Sequence, residues 1–154
     1  MYKHILLPTD GSPASERAAK AGVELARALG ARVTAFFAAP APTPVVYRGV
    51  VPVRLISPAR HAKVVEQTAA RLLGGVEALA KAAGVRCESI HVTSDFPADA
   101  IVEVAKRRKC DLIFMGSHGR RGFSGLILGS QTQRVLMQTK IPVVVYRDRP
   151  AGRP

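Results

Sequence analysis

Short apolar runs alternate along this chain with longer stretches in which apolar residues recur every three or four positions. Lys3 to Leu7 is the first run, closed by Pro8-Thr9-Asp10-Gly11, and it predicts a strand over 3–7. Ser12-Pro13 offers a helix cap and a proline at the first helical position. Ala14, Ala18, Ala21, Leu25 and Ala28 then form a stripe and Gly30 a stop, which predicts a helix over 13–29. Arg32 to Ala38, with Val33, Ala35, Phe36 and Phe37 at its centre, reads as a strand covered on both faces. Residues 39–57 hold Pro40, Pro42, Pro44, Gly49 and Pro52 and read as a long loop. Ser57-Pro58 repeats the cap signal. Val65, Ala69, Leu72, Val76, Leu79 and Ala83 form the stripe of a second helix that Gly84 ends. Inside it stand Gly74 and Gly75, each costing about 1 kcal/mol against alanine, which points to a bend or to close packing.

Polar and apolar residues mix over 86–92, as on an edge strand, and His91 reads as a half-exposed strand residue. Phe96-Pro97 opens a third helix, roughly 97–109, with Ala100, Ile101, Val104 and Ala105 toward the core. Leu112 to Met115 is a buried strand, followed by a glycine-rich loop. A fourth helix starts at Gly129 or Ser130 and reaches about Gln138, and Ile141 to Tyr146 is the last strand. Pro142 near its start suits a sheet edge. Regular β-α alternation argues an α/β domain, with a parallel sheet and right-handed crossovers. Residues 1–146 form that domain, and 147–154 are a basic tail with nothing apolar to bury.

A chain of 154 residues is expected to be one domain, and 47% apolar content is enough for a core. With no tryptophan and few aromatics, the core must be aliphatic. No run is long enough to cross a membrane and no charged-then-apolar leader is present, so the expected place is the cytoplasm. Cys87 and Cys110 stand far apart and are expected to be free thiols. The net charge of +12 favours anionic partners without choosing among nucleotides, nucleic acid and acidic surfaces. The densest basic run, Lys106 to Lys109, closes a helix, where cations complement the dipole. No recognised module or aromatic stacking series supports nucleic acid as the partner.

The chemistry concentrates between Asp111 and Leu136. A buried strand leads into Gly116, Gly119, Gly122 and Gly125, and helical character resumes at Gly129-Ser130. Glycines let backbone N–H groups face an anion, and a helix start adds unpaired N–H groups at the positive end of its dipole. Two residues separate Gly116 from Gly119, and nine separate Gly119 from Gly129-Ser130. That spacing is neither a Walker A loop nor the Rossmann fingerprint. It resembles the G-2x-G-9x-G-(S/T) signature of the nucleotide-binding universal stress proteins. Ile5 to Ser12 is similar to that family's opening strand and ligand loop, and Pro97 to Ile101 to its third-helix start.

The resemblance implies a doubly wound, five-stranded parallel sheet of order 3-2-1-4-5 with helices on both faces, as in the adenine nucleotide alpha hydrolase-like folds. Strands one and four are then neighbours, with their loops at the switch point where ligands bind. It implies an adenine nucleotide, ATP or else ADP or AMP. Pro8, Thr9 and Asp10 would line the nucleoside side, Ala38 would offer backbone groups to adenine, and Met115 would pack near base or ribose. Gly116, Gly119 and Gly129 would admit ribose and phosphates. Ser130 and the N–H groups of Gln131 and Thr132 would bind phosphate oxygens. His118 and Arg120 either approach the phosphates or serve as loop residues. Asp10 either holds Mg²⁺ or Mn²⁺ or caps the first helix. Gln131 stands where the family also commonly has an apolar residue.

The resemblance further implies a homodimer through Ile141 to Tyr146, and an apolar edge strand independently favours such pairing. No general base, Ser-His-Asp set or His/Cys metal cluster stands out, so the reading is nucleotide binding with a regulatory role in a stress response. The alternatives are a slow ATPase or autophosphorylating enzyme, a nucleic-acid binder, and a ligand-free dimeric scaffold.

Overall fold

The computed structural model describes residues 1–42, 57–118 and 128–147. In order these form β1 (His4–Pro8), α1 (Pro13–Leu29), β2 (Arg32–Ala39), α2 (Pro58–Ala82), β3 (Cys87–Thr93), α3 (Pro97–Arg107), β4 (Leu112–Gly116), α4 (Ser130–Gln138) and β5 (Val143–Tyr146). The five strands make one sheet of order β3-β2-β1-β4-β5, and every pairing is parallel. The doubly wound sheet is therefore as expected, with β3 and β5 at its edges.

Alternate strand residues face opposite sides of the sheet. Ile5, Leu7, Val33, Leu112 and Phe114 pack with α1 and α2. Leu6, Phe36, Ile113 and Met115 pack on the other side with α3 and with Val135 of α4. The expected caps are present. Ser12 Oγ accepts from Ser15 N–H at 3.2 Å, Ser57 Oγ accepts from Arg60 N–H at 3.2 Å, and Gly30 ends α1 at φ 61°.

Five details differ from the sequence reading. The buried face of α1 is Ser15, Ala18, Ala19, Gly22, Val23 and Ala26, so of the expected stripe just Ala18 is fully buried. Alanine occurs all round this helix, and two of the buried residues are serine and glycine, which an apolar count passes over. Gly22 is the close-packing glycine: a Cβ there would collide with the Leu7 side chain and lie 3.1 Å from Phe114 Cδ1. Gly74 and Gly75 are not packed, since a Cβ at either would meet nothing within 4 Å. The third helix ends at Arg107, and Lys109 takes φ 55°, the left-handed turn usually given to glycine. That turn lets Cys110 N–H reach Ala105 O at 2.8 Å and Asp111 N–H reach His4 O at 2.9 Å. Finally, β5 begins at Val143 rather than Ile141: Pro142 accepts from Ile113 N–H at 2.9 Å but has no N–H to continue a ladder.

Cys87 and Cys110 are free. Burial pushes the Cys110 thiol up to about 11 and also raises that of Cys87, so both are poor nucleophiles. At the amino ends of the strands lies a polar network around His4, which is 3% exposed. Thr34 donates its hydroxyl proton to Glu88 Oε1 at 2.9 Å, so His4 Nε2 must be the donor toward Thr34 Oγ1 at 2.7 Å. His4 Nδ1 is buried and has no hydrogen-bond partner among the described residues. Burial lowers its pKa from the ordinary 6.5, aided by the Arg32 charge and opposed by Glu88 and Asp111.

Between the lowered folded pKa and 6.5 the unfolded chain therefore binds more protons, and stability rises with pH. Acidification below 6.5 should weaken the fold, with a slope of at most about 1.4 kcal/mol per pH unit from this one group. Urea titrations of wild type and His4→Gln at about pH 5 and about pH 7.5 check this. The acid-side loss should be smaller in the variant.

Candidate functional site

Two loops leave the carboxyl ends of adjacent strands, one after β1 and one after β4. The two strands pair only at Ile5↔Leu112 and Leu6↔Ile113 and part before either ends. The parting opens a crevice where the strand order reverses. On one side α1 starts; on the other α4 starts. Beyond the last β1–β2 bond, Thr9 N–H to Phe36 O at 2.8 Å, strand alternation turns the N–H and C=O of Ala38 toward the β1 side. The backbone groups of Ala38 are thus directed toward the end of β1.

The β1–α1 loop is held from within. Thr9 is buried, its hydroxyl lying 3.1 Å from Ser15 Oγ and accepting from Gly11 N–H at 3.3 Å. Its side chain is therefore part of the loop's frame rather than an open contact. Asp10 is half-buried, and its Oδ1 accepts from Ser12 N–H at 2.9 Å in an Asx turn that leads into α1. Pro8 is half-buried at the end of β1. Ser15 is the residue that sequence reasoning missed here. Its only signal was its place three residues after Ser12, and the sequence reading used Ser12-Pro13 alone.

The β4–α4 junction is built differently. Ser117 N–H donates to Tyr146 O, and Gly129 N–H donates to Ser117 O, both at 2.8 Å. Thr132 is buried, and its hydroxyl donates to Gly116 O at 3.1 Å. These bonds seat the start of α4 directly on the end of β4. A Cβ on Gly116 would stand 3.4 Å from His118 O and 3.6 Å from Ala14 O, so this glycine lies against the first turn of α1. His118 Nδ1 is 3.0 Å from Ser117 Oγ. Met115 is buried in the core on the α3–α4 side. Gly119 and Arg120 lie outside the described residues.

Gln131 has a role that the sequence did not suggest. Its Oε1 accepts from Ala98 N–H at 3.1 Å, at the start of α3, where Phe96 supplies no side-chain cap. The side chain of Gln131 thus faces α3 and leaves its own N–H to α4. In α4 the N–H groups of Ser130, Gln131 and Thr132 have no carbonyl one turn back. Ser130 is exposed, Gly129 gives no side-chain cap, and the first turn holds no acidic residue. Among the described residues, therefore, nothing compensates the positive end of the helix. Among the described residues, no three His, Cys, Asp or Glu side chains gather as a metal site.

Two concavities among the described residues lie beside the crevice and not over it. One of about 440 Å³ runs between α1 and α2, and one of about 300 Å³ lies between β3 and α3. The site assignment rests on converging backbone donors rather than on cavity size. The model for the universal stress protein family matches residues 1–147. The chain belongs to the universal stress protein family.

A universal stress protein of Methanocaldococcus jannaschii is 32% identical over 147 residues, covering 96% of this chain and 83% of that one. One from Thermus aquaticus is 36% identical over 148 residues, covering 96% of this chain and 100% of that one. A solved universal stress protein in complex with cAMP superposes with a TM-score of 0.66 at 28% identity, covering 95% of this chain and 97% of the other. Among the described residues, no helix of this family member is long and apolar enough to cross a membrane.

Removing the acceptor that α4 lends to α3 should be measurable. Gln131→Ala should lower stability by about 1 kcal/mol, as loss of a helix cap does, read as a lower urea midpoint. Gln131→Glu keeps an acceptor oxygen and adds a negative charge at a helix start, so it should recover most of the loss.

Proposed function

We propose that this universal stress protein binds an adenine nucleotide in the crevice between β1 and β4, with ATP as the working ligand. The observation that carries the reading is the start of α4, seated on the end of β4 and, among the described residues, with neither a side-chain cap nor an acidic residue in its first turn. Phosphates would lie against the N–H groups of Ser130, Gln131 and Thr132 and the Ser130 hydroxyl. The base would lie toward the backbone of Ala38. The family membership and the cAMP complex of a 28% identical relative support an adenine nucleotide as the ligand class. Asp10 lies on the loop that leaves β1, and a carboxylate near phosphates would favour an intervening cation. Mg²⁺ or Mn²⁺ held jointly by Asp10 and the nucleotide meets that need. Gly119 and Arg120 enter this reading through the glycine spacing and the family resemblance. The role is regulatory binding rather than catalysis.

We also propose a homodimer through β5. The strand sits at the sheet edge, its alternation turns Val143 and Val145 backbone groups outward, and Val144 is 37% exposed. Tyr146, stacked on Phe114 at 6.2 Å, fixes the end of that edge.

ATP should raise the melting temperature of the wild type by mass action. Gly129→Val and Gly119→Val should each cut ATP affinity by at least about tenfold, or about 1.4 kcal/mol, in calorimetric titrations. Asp10→Ala and EDTA should each weaken binding, and EDTA should change nothing further in the variant. Wild-type ATP affinity in both glycine variants would overturn the site. Phosphate release from ATP above that of Gly129→Val would move the reading to a slow ATPase. For the dimer, Val144→Lys should yield a soluble monomer by light scattering, and a dimeric Val143→Lys/Val144→Lys double variant would place the contact elsewhere.

A further inference from the structure

The groove between α1 and α2 lies on the far side of the β1–α1 loop from the crevice, and the nucleotide reading does not use it. Its floor is apolar: Ala19 of α1, with Leu72 and Val76 of α2. One wall is the row Arg71, Gly75 and Leu79, four residues apart and so stacked on one face of α2. The other wall carries Lys20 and Arg17, and Glu16 is the one carboxylate of the lining. Among the described residues, neither Lys20 nor Arg71 forms an ion pair. The groove ends beneath Thr9 and Gly11.

Gly75 is what keeps this groove open. Glycine weakens a helix interior, and neither a positive φ nor close packing calls for one here. A side chain at 75 would project into space that is now empty. The result is an apolar trough of about 440 Å³, within the range of small-molecule sites, with cations on both walls. From Arg71 to Leu79 the helix rises about 12 Å at 1.5 Å per residue, the reach of a medium-length acyl chain.

We propose that the α1–α2 groove binds a small amphipathic anion, an aliphatic carboxylate of medium length. Lys20 and Arg71 hold the head group, and the chain lies along Leu72, Val76 and Leu79. The anion is preferred over a neutral lipid because two unpaired cations flank the trough. It is preferred over inorganic phosphate because the floor is apolar.

Decanoate, kept well below its micelle concentration, is the probe, titrated into the full-length protein by calorimetry. Saturable binding is expected. Gly75→Leu fills the trough and should lower affinity at least about tenfold, with an unchanged or higher melting temperature. The surface double variant Lys20→Gln/Arg71→Gln should lower decanoate affinity about tenfold and leave decanol binding as it was. Gly129→Val, which alters the crevice, should leave decanoate affinity intact. The proposal is overturned if wild type shows no saturable binding, or if the double variant binds decanoate normally. It is equally overturned if inorganic phosphate binds with the same dependence on Gly75. Loss of decanoate binding in Gly129→Val would place the anion in the crevice. A change of oligomeric state in Gly75→Leu would make the groove a contact between copies of the chain.

Discussion

Two residue pairs join β1 to β4, and the candidate site exists because there are no more. Parallel strands bring their carboxyl ends to the same side, and each following helix begins there. Where the strands stay paired, their ends are sealed by the ladder. Where β1 and β4 separate, an opening is left with a helix start on each flank. The α1 flank spends its donors internally, on Ser12, Ser15, Thr9 and Asp10. Among the described residues the α4 flank does not, because Gly129 has no side chain to cap it. The polarity of the site follows from that asymmetry.

The order of elements and the positions of the loops after β1 and β4 were legible in the sequence because they rest on strong local signals. Ser-Pro starts, glycine stops and a buried run before a glycine series each act within a few residues. Helix faces were less legible where alanine is common: α3, rich in branched residues, was placed correctly, whereas the stripe of α1 was not. Glycines were ambiguous for a related reason. Gly22 and the Gly74-Gly75 pair look alike in sequence, yet the first is pressed between Leu7 and Phe114 and the others face open space. Only the neighbours supplied by tertiary structure separate these cases. At the site, Thr9 was read as lining the nucleoside side and Gln131 and Thr132 as offering backbone N–H groups; the structure adds that all three side chains brace the frame. The family spacing marks positions, and it cannot say which side of a residue faces the ligand.

The polar network and the proposed site occupy opposite ends of the sheet. At the amino ends, His4, Thr34, Glu88 and Asp111 form that network around the imidazole. Asp111 takes the N–H groups of Lys3 and His4 and fastens the first residues of β1 to the start of β4. The strands are thus pinned where no ligand is expected and released where one is.

The sheet also divides the interior into two cores, and α1 and α4 belong to different ones. A molecule lying between their starts would touch both layers and fasten one to the other. Its residence time would then be set by whichever layer opens more cheaply. That layer is α4's, since its nine residues bury only Thr132 and Val135, against six buried residues in the seventeen of α1. The short helix is therefore the natural exit, and an occupied site would protect its amides from exchange more than any others in the chain.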